Sequence, residues 1–560
     1  MVLLTEMRPF LGSLQSLRGI RATSSTRIIT RSLSQQPATP SLQSFARLPT
    51  PKASIQSQIA GKDKVAPRSM LRLFSTSFPR QVQPAAASPT TSQSESSSSE
   101  STTSSNSVAY HLFFCAGLVY LIIVVGGLTR LTESGLSITE WNPGFKGMSL
   151  PWTDAEWDAE WEKYKQTPEW AILNRHMTVE DFKKIYMWEW SHRIIGRFIG
   201  VAFLLPTVYF LARGKVAKGT KWKLLAIALG IGFQGALGWF MVKSGLTAPE
   251  STPPVIAQQH PNTTVSAGAK ELRLDGSVSQ DSQSSASSDW HPRVSHFRLA
   301  AHLGTAFLVY MGMLHTGMSI LRDNKLVNGK GKAAGWMMNV GENVQKLVSA
   351  MQNPRINRFR NVSRGMLCLA FITSMSGALV AGLDAGLVYN EFPYMGEGIV
   401  PPKEELLEQK YAWHGKNDKD EAGLVFGNMT QNPVTVQLMH RTLAVTTLIS
   451  AIGLGFYARR VSRSMITSVK MPPAIPRVAS LVSLAAITQA SLGISTLIYL
   501  VPIELASAHQ AGSVALLTAI TALLAVLRSP NKRILQKLAN QSSPIARQAI
   551  IARALQKVSK

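Results

Sequence analysis

Residues 108–128 read VAYHLFFCAGLVYLIIVVGGL and contain no aspartate, glutamate, lysine or arginine. A helix needs about 20 predominantly apolar residues to cross the hydrocarbon core of a bilayer, so this stretch predicts a membrane-spanning helix. Seven further stretches have the same character, and they predict an all-α membrane protein with eight transmembrane helices. The predicted spans are 108–128, 187–212, 222–242, 296–320, 363–383, 434–458, 476–500 and 504–527.

The segments between these spans alternate in charge along the chain. Residues 213–223 carry five basic and no acidic residues, and residues 321–362 carry eight basic and two acidic ones. By contrast, residues 130–185 carry seven basic and ten acidic residues, and residues 384–433 carry four and nine. Basic loops stay on the cytoplasmic side of a membrane, which corresponds to the matrix in mitochondria. The alternation therefore predicts a multi-pass protein with both termini in the matrix.

The N-terminal segment, 1–80, has the composition of a targeting signal. It holds twelve lysine or arginine residues against two acids, Glu6 and Asp63, and it is rich in serine and threonine. Basic, acid-poor segments of this kind are typical of mitochondrial transit peptides, whereas a secretory signal needs an apolar core. Residues 81–107 follow as a Ser/Thr/Gln/Pro-rich linker that we expect to be disordered. The protein is therefore expected in the mitochondrial inner membrane.

The overall charge does not indicate a nucleic-acid partner. The net charge is +26, yet the basic residues avoid the apolar blocks and collect at the N-terminus, in alternate loops and in the tail. The two cysteines, Cys115 and Cys368, lie in separate apolar blocks, so they form neither a metal-spaced pair nor a disulfide framework. We expect no nucleic-acid partner and no cofactor held by thiolates.

Four segments of the first half of the chain reappear in the same order in the second half. One match alone could be a coincidence among helices rich in Gly, Ala and Leu, but four in register indicate a duplicated four-helix unit. The matching pairs are GGLTRLTESGL at 126–136 with GALVAGLDAGL at 377–387, ExxHR at 189–193 with QxxHR at 437–441, QGALG at 234–238 with QASLG at 489–493, and AHLG at 301–304 with AHQAG at 508–512.

The duplication predicts two pseudo-symmetric four-helix bundles. The halves differ chiefly at one loop, because the segment from Gln234 to His302 is much longer than the equivalent one from Gln489 to His509. The additional segment, about 250–290, is Ser/Gln-rich and is expected to be disordered. The predicted division is a transit peptide at 1–80, a linker at 81–107, an N-terminal half at 108–320, a matrix linker at 321–362, a C-terminal half at 363–528 and a basic matrix tail at 529–560.

A short amphipathic helix is predicted in the first outer segment. Pro151 and a capping box formed by Thr153 and Glu156 mark its start. We interpret its aromatic stripe as an anchor at the outer membrane interface rather than a ligand-binding box. The aromatic residues, at near-helical spacing, are Trp152, Trp157, Trp161 and Tyr164.

Four of the eleven histidines belong to the internal repeat. Each lies about six residues into its span from the outer end, which is roughly 9 Å of depth at the helical rise per residue. An ionisable side chain inside a membrane is costly and marks a functional site by default, although a single histidine is more often a hydrogen-bonded core residue. Paired imidazoles suit haem iron, whereas zinc would need further ligands. The predicted pairs are His192 with His302 and His440 with His509.

Three further residues lie beside these histidines. Arg193 and Arg441 follow the first histidine of each half, where a guanidinium either binds haem propionates or extends to the membrane interface. Glu189 lies one turn outward from His192, whereas the equivalent residue of the second half is Gln437. A carboxylate accepts a proton and an amide does not, so this difference predicts that the reaction takes place in the N-terminal half. The alternative is that Glu189 is a surface residue at the end of its helix.

These motifs resemble those of the haem A synthase family. Residues 127–141, GLTRLTESGLSITEW, are similar to its first-loop signature, and the motif from Glu189 to Arg193 resembles that of its catalytic helix. The resemblance covers roughly residues 108–528. It implies that the C8 methyl group of haem O is oxidised to the formyl group of haem A by successive hydroxylations, for assembly of cytochrome c oxidase.

The resemblance also implies roles for the site residues. His192 and His302 would ligate haem O as the substrate, with Glu189 as the required acidic residue. His440 and His509 would hold a resident haem b. A matrix ferredoxin would supply electrons, and haem O synthase and further copies of this chain are candidate partners. Some bacterial members carry a cysteine pair in outer loops that this chain lacks, so no thiol-dependent step is expected.

Two other functions fit parts of the pattern. A membrane cytochrome b that only carries electrons would use His302 and His315, which lie on one span near the spacing that holds two stacked haems. The position equivalent to His315 in the second half is Ala522, which disfavours this function. A haem chaperone or transporter built from repeats would retain no tightly bound haem after purification.

Overall fold

The eight apolar stretches all fold into helices that are long and apolar enough to cross a membrane, as predicted. The structure, a computed structural model, describes residues 103–142, 149–246, 292–328, 350–413, 421–465 and 471–540. The predicted transit peptide, most of the linker after it and the Ser/Gln-rich insertion lie outside the described residues. The membrane helices are α1 (Asn106–Leu131), α2 (Val179–Ala212), α3 (Lys218–Gly245), α4 (His296–Asn328), α5 (Pro354–Gly382), α6 (Pro433–Ser464), α7 (Ala474–Ile498) and α8 (Ile503–Leu527).

Several of these helices extend beyond their apolar spans, because polar caps lie outside the apolar stretches. The first turn of α2 is capped by the Thr178 side chain, which accepts from the N–H of Asp181. The first turn of α5 is capped in the same way by Asn353. Helical turns of α4 and α5 therefore occupy both ends of the predicted matrix linker at 321–362.

The connecting segments contain short helices and turns, with no β-strand among the described residues. One of these helices lies in the predicted basic tail. The short α-helices are Asp154–Lys165, Pro168–Ile172, Lys403–Leu406, Glu421–Gln431 and Lys532–Asn540, and the 3-10 turns are Ala385–Leu387 and Gln409–Tyr411.

Neighbouring helices of each half pack side by side. In the first half α1 packs against α2 and α4, and α3 packs against α4; in the second, α5 packs against α6, α6 against α7, and α7 against α8. The halves meet through α1, α4, α5 and α8. At this contact Tyr120 donates to the Ala511 carbonyl at 3.0 Å, and Gln510 donates to the Ile123 carbonyl at 2.9 Å. Two adjacent four-helix bundles would make these contacts, and the two-bundle arrangement stays a prediction.

Three of the four aromatic residues in the predicted stripe, Trp157, Trp161 and Tyr164, pack against α2. Tyr164 is fully buried and stacks on Phe182, with 5.1 Å between the ring centroids. Trp157 packs edge-on against Tyr186. Trp152, by contrast, is 84% exposed, and the interpretation of the stripe as a membrane anchor stays a prediction. The helix does begin with the predicted capping box.

The backbone supports the internal repeat at the ends of α1 and α5. Glu133 and Asp384 occupy equivalent positions, and both adopt a left-handed φ of 52°. Residues other than glycine rarely adopt this conformation, so its recurrence indicates that the two turns share one local structure. Arg130 forms an ion pair with Asp384 at 2.7 Å, which joins the two turns directly.

Candidate functional site

His192 on α2 and His302 on α4 come together in the N-terminal half. Their ring centroids lie 6.4 Å apart, with 54° between the ring planes. A bond between a metal and an imidazole nitrogen is roughly 2 Å long, so this separation leaves room for one metal atom between the two rings. The structure thus brings together the first predicted histidine pair.

His440 on α6 and His509 on α8 are the equivalent residues of the C-terminal half. The Nδ1 atom of His440 lies 2.8 Å from the hydroxyl of Ser376, and the Nδ1 atom of His509 lies 3.1 Å from the amide nitrogen of Gln489. By contrast, the Nδ1 atom of His302 is buried without a hydrogen-bond partner in the described part of the chain.

Each of the four imidazole rings packs against a glycine of a neighbouring helix. A Cβ atom at these glycines would lie 2.9, 3.3, 3.0 and 2.6 Å from the nearest ring atom. All four glycines lie within the repeated motifs, although the repeat by itself indicated no role for them. The pairs, in the order of those distances, are Gly126 with His192, Gly238 with His302, Gly377 with His440, and Gly493 with His509.

Two glutamines hold the backbone at the second histidine of each half. Gln234 donates to the His302 carbonyl at 2.9 Å, and Gln489 donates to the His509 carbonyl at 2.8 Å. Both glutamines belong to the repeated QxxxG motifs, so their position in the repeat was the only sequence signal of this role. Each bond crosses between neighbouring helices and limits how far the helix that carries the histidine can slide.

The donor set fits haem better than a metal ion held by the protein alone. No group of three or more His, Cys, Asp or Glu side chains is placed to hold a metal ion in the ranges that the structure describes. Haem iron needs only two protein ligands because the porphyrin supplies the others. The separation of the His192 and His302 rings and the unpartnered Nδ1 of His302 agree with such ligation.

Glu189 is buried under the segment that follows α1, and its two carboxylate oxygens accept four hydrogen bonds. Oε2 accepts from the Ser137 hydroxyl and from the Ile138 N–H, both at 2.8 Å. Oε1 accepts from Arg193, at 2.6 Å from Nη2 and 3.1 Å from Nε. Because the Glu189 side chain is only 4% exposed, it is not a surface residue. Glu189 instead ties the first-loop signature segment to α2, three residues before His192.

The equivalent residue of the second half, Gln437, is a donor to its loop, whereas Glu189 is an acceptor. Gln437 donates to the Tyr389 carbonyl at 2.9 Å, and its Oε1 is buried without a partner among the described residues. The first loop thus presents donors to the Glu189 carboxylate, whereas the second presents an acceptor to an amide. The asymmetry seen in the sequence is therefore also an asymmetry of hydrogen bonding.

The two arginines bind loop carbonyls in equivalent ways. Arg193 donates to the Ile138 carbonyl at 2.9 Å, and Arg441 donates to the Tyr389 carbonyl at 2.8 Å. Arg193 also pairs with Glu189, whereas the Nε atom of Arg441 is buried without a partner among the described residues. Both guanidinium groups therefore support the segments that follow α1 and α5, and the binding of haem propionates by them stays a prediction.

A second buried carboxylate, Glu169, lies in the same region, and no sequence motif indicated it. Glu169 is 5% exposed, and its Oε2 has no hydrogen-bond partner within the described ranges. Burial, and next the charge of Glu189, raise the pKa of Glu169 to about 8. A glutamate after a threonine cap is ordinarily an exposed residue of a helix N-terminus, so the burial depends on tertiary packing. Burial also raises the pKa of the neighbouring Tyr164.

His315 is not paired with a second histidine among the described residues. It lies on α4 near Lys223, Arg322 and Arg528, which are all cationic. Ala522 occupies the equivalent position of the second half and is buried. Two stacked haems in each half, as in an electron-carrying cytochrome b, are therefore disfavoured.

The sequence is similar to known proteins over most of its length. The family profile described as cytochrome oxidase assembly protein matches residues 109–521. Heme A synthase COX15 of Saccharomyces cerevisiae is 41% identical over 427 residues, which are 76% of this chain and 76% of that protein. Heme A synthase COX15 of Homo sapiens is 36% identical over 415 residues, or 74% of this chain and 81% of that protein.

A third relative is a longer protein. The heme A synthase-mitochondrial ferredoxin fusion protein of Schizosaccharomyces pombe is 41% identical over 419 residues. The match covers 74% of this chain but only 59% of the fusion protein. The similarity thus leaves a large part of that relative unmatched.

Proposed function

The chain belongs to the cytochrome oxidase assembly protein family, and we propose that it is a haem A synthase. The reaction is oxidation of the C8 methyl group of haem O to the formyl group of haem A for assembly of cytochrome c oxidase, which makes the protein an oxidoreductase. The observation that carries the proposal is the His192–His302 pair, 6.4 Å between ring centroids, beside the loop that Glu189 binds. The relatives named as heme A synthases support it.

The two histidine pairs receive different haems in this proposal. His192 and His302 bind haem O as the substrate, and His440 and His509 hold a resident haem b. When bound, the haems supply the iron chemistry that electron transfer and oxidation require. The unequal surroundings of the two pairs support the division, because Nδ1 of His440 lies 2.8 Å from the Ser376 hydroxyl, whereas Nδ1 of His302 has no partner among the described residues.

Glu189 is the residue that we assign to proton transfer. It is buried three residues before His192, and a positioned carboxylate is a common group for moving protons in enzymes. The Ser137 hydroxyl, 2.8 Å from Oε2, is the neighbouring group with an exchangeable proton. Arg193 orients Oε1 through two hydrogen bonds, so its role is positioning.

A ferredoxin in the mitochondrial matrix is the electron donor that we propose. The fusion of a heme A synthase with a mitochondrial ferredoxin in the Schizosaccharomyces pombe relative supports a functional contact between the two. The basic segments at 213–223 and 459–475 lie on the proposed matrix side, where they would face such a partner. Haem O synthase is the enzyme class that must supply the substrate.

The proposed location is the mitochondrial inner membrane, with both termini in the matrix. An even number of membrane helices, the alternation of basic and acidic segments, and the composition of the N-terminal segment at 1–80 support it. With this orientation the loops bound by Glu189 and Gln437 lie on the outer side of the membrane.

The function and the division between the halves are tested by identifying the haems in the purified full-length protein by mass. We expect haem b together with haem O or haem A in the unmodified protein. His192→Ala should lose haem O and haem A but retain haem b, and His440→Ala should lose haem b. His176→Ala, at an exposed loop position, should retain both. Unmodified protein without haem, or His440→Ala with full haem b content, would contradict the proposal.

A further inference from the structure

Three residues with hydroxyl side chains, Ser376, Thr373 and Thr447, are linked by hydrogen bonds next to His440 in the C-terminal half. Ser376 is buried on α5, and its Oγ lies 2.8 Å from the Nδ1 atom of His440. Ser376 also donates to the Thr373 carbonyl at 2.8 Å. The Thr373 hydroxyl in turn lies 2.7 Å from the hydroxyl of Thr447 on α6, which ties the two helices together. No part of the proposed reaction uses these side chains.

The direction of these hydrogen bonds decides which nitrogen of His440 carries the proton. Ser376 has one proton and two neighbours at 2.8 Å, the Thr373 carbonyl, which can only accept, and Nδ1 of His440. When the Ser376 hydroxyl donates to the carbonyl, its oxygen accepts from His440, and Nδ1 is the protonated nitrogen. Nε2 is then left with its lone pair, which is the form of imidazole that binds a metal.

The N-terminal half lacks this arrangement at the equivalent positions. The internal repeat aligns Ser376 with Val125, the residue before the glycine that faces the histidine ring in each half. His192 accordingly has no hydrogen bond to a ring nitrogen from the described residues. Each of the three hydroxyl residues aligns with an apolar residue of the N-terminal half. The aligned pairs are Thr373 with Ile122, Ser376 with Val125, and Thr447 with Ile199.

We propose that Ser376 is a positioning residue that holds His440 as the Nδ1–H tautomer with Nε2 free for iron, and that Val125 leaves His192 without this restraint. A partner on the second nitrogen fixes the orientation of a ligating histidine and strengthens it as a ligand. The C-terminal site therefore retains its haem, whereas the N-terminal site can exchange substrate for product. This inference rests on the proposed function, because it assigns the resident haem to the C-terminal pair.

The test compares Ser376→Ala with Ser374→Ala on the same helix. Ser374 donates only to the Ala370 carbonyl and does not touch His440, so it is a matched control. Purified protein in detergent is mixed with excess apomyoglobin as a haem acceptor, and the loss of haem b is followed by absorbance. Loss of a partner of a metal ligand typically costs 10- to 100-fold in affinity, so we expect Ser376→Ala to lose haem b about 10- to 100-fold faster.

A redox titration gives a second readout that a general loss of packing would not reproduce. The Nδ1–H···Oγ bond places electron density on the ring and favours ferric iron. Ser376→Ala should therefore shift the midpoint potential of haem b to a more positive value. Ser376→Thr, which restores the hydroxyl, should return it toward that of the unmodified protein, and Ser374→Ala should leave it unchanged.

Val125→Ser places a serine at the position equivalent to Ser376 and tests the proposal even if Ser376→Ala fails to fold. It should slow the exchange of haem at that site relative to the unmodified protein. Unchanged haem retention and potential in a folded Ser376→Ala protein, or unchanged exchange in Val125→Ser, would overturn the inference while leaving the proposed function intact. Unmodified protein with no haem b in the C-terminal half would overturn both.

Discussion

Glu189 and Arg193 form a buried ion pair one turn apart on α2, with 2.6 Å between Oε1 and Nη2. Oε2, the other carboxylate oxygen, binds the first outer loop, so a single side chain connects the loop, the arginine and the helix that carries His192. The pair gives Glu189 a part in the local structure that is separate from the proton transfer proposed for it. The effect of a substitution at Glu189 therefore has to be measured on the local structure and on the reaction.

We predict that Glu189→Gln greatly lowers the output of haem A while the protein still binds both haems. The loss of a proton-transfer group typically costs about 10²- to 10⁴-fold in rate. The histidines themselves make no hydrogen bond to Glu189, so haem ligation should survive. The measurement is the ratio of haem A to haem O in extracts of cells that depend on the variant.

Glu180→Gln is the matched control for this experiment, because Glu180 lies in the first turn of the same helix and is exposed. It should leave the ratio of haem A to haem O unchanged. A Glu189→Gln protein with near-normal haem A would show that the carboxylate is dispensable. Arg193→Gln should loosen the loop but lower the rate less than Glu189→Gln does, because it removes a positioning group only.

We predict that Gly126→Ala displaces His192 and weakens the N-terminal haem site. The new Cβ would lie 2.9 Å from Nε2 of His192, which is closer than a non-bonded carbon atom tolerates. Overpacking of this kind costs about 1–3 kcal/mol. Haem O binding, measured by absorbance titration of the purified protein, should weaken while haem b is retained.

Gly117→Ala on the same helix provides the comparison for Gly126→Ala. A Cβ at Gly117 meets no atom within 4 Å, so this variant should bind haem normally. It should also be slightly stabilised, since alanine is favoured over glycine within a helix by about 1 kcal/mol. Equal haem binding by the two variants would mean that the glycine does not position His192.

We predict that Glu169→Gln makes the stability of the protein less dependent on pH. Burial raises the pKa of Glu169 from 4.5 to about 8, so the folded protein holds a proton that the unfolded chain releases. Its contribution to stability is therefore complete below pH 4.5 and is lost as the pH rises toward about 8. The apparent Tm of the variant should exceed that of the unmodified protein by an amount that grows across this window and then levels off.

Glu162→Gln serves as the control for the pH dependence, because Glu162 is exposed on the helix Asp154–Lys165. Its curve of apparent Tm against pH should run parallel to that of the unmodified protein. A Glu169→Gln curve that is also parallel would show that Glu169 ionises normally and that its burial carries no free-energy cost.

We predict that protease added to mitoplasts cuts the segments at 130–185 and 384–433 and spares the one at 321–362. The first two carry an excess of acidic residues and the third an excess of basic residues, which predicts that they lie on opposite sides of the membrane. The measurement is the size of tagged fragments on an immunoblot, with a matrix protein as the control for intact membranes. Cleavage within 321–362 from outside would reverse the orientation.

Much of the site was predictable because its residues lie in short sequence motifs that occur twice in the chain. The histidine pair of His192 and His302 followed from two matching motifs and from the cost of placing ionisable groups in a membrane. The hydrogen-bond partners of Glu189 could not be predicted, because one of them is the backbone N–H of Ile138, which no sequence motif indicates. Glu169 was missed for the same reason, because its burial results from packing between the first outer loop and α2.

The sequence by itself determined the eight membrane helices, the duplication and the four histidines. A bilayer requires a certain apolar length of every helix separately, so each span can be recognised without knowing its neighbours. Only the tertiary structure decided that Gly126 faces His192, that Ser376 reaches His440, and that Trp157, Trp161 and Tyr164 pack on α2. These contacts depend on how each helix is rotated about its axis, and helices that are apolar on every side do not specify that rotation until they pack against one another.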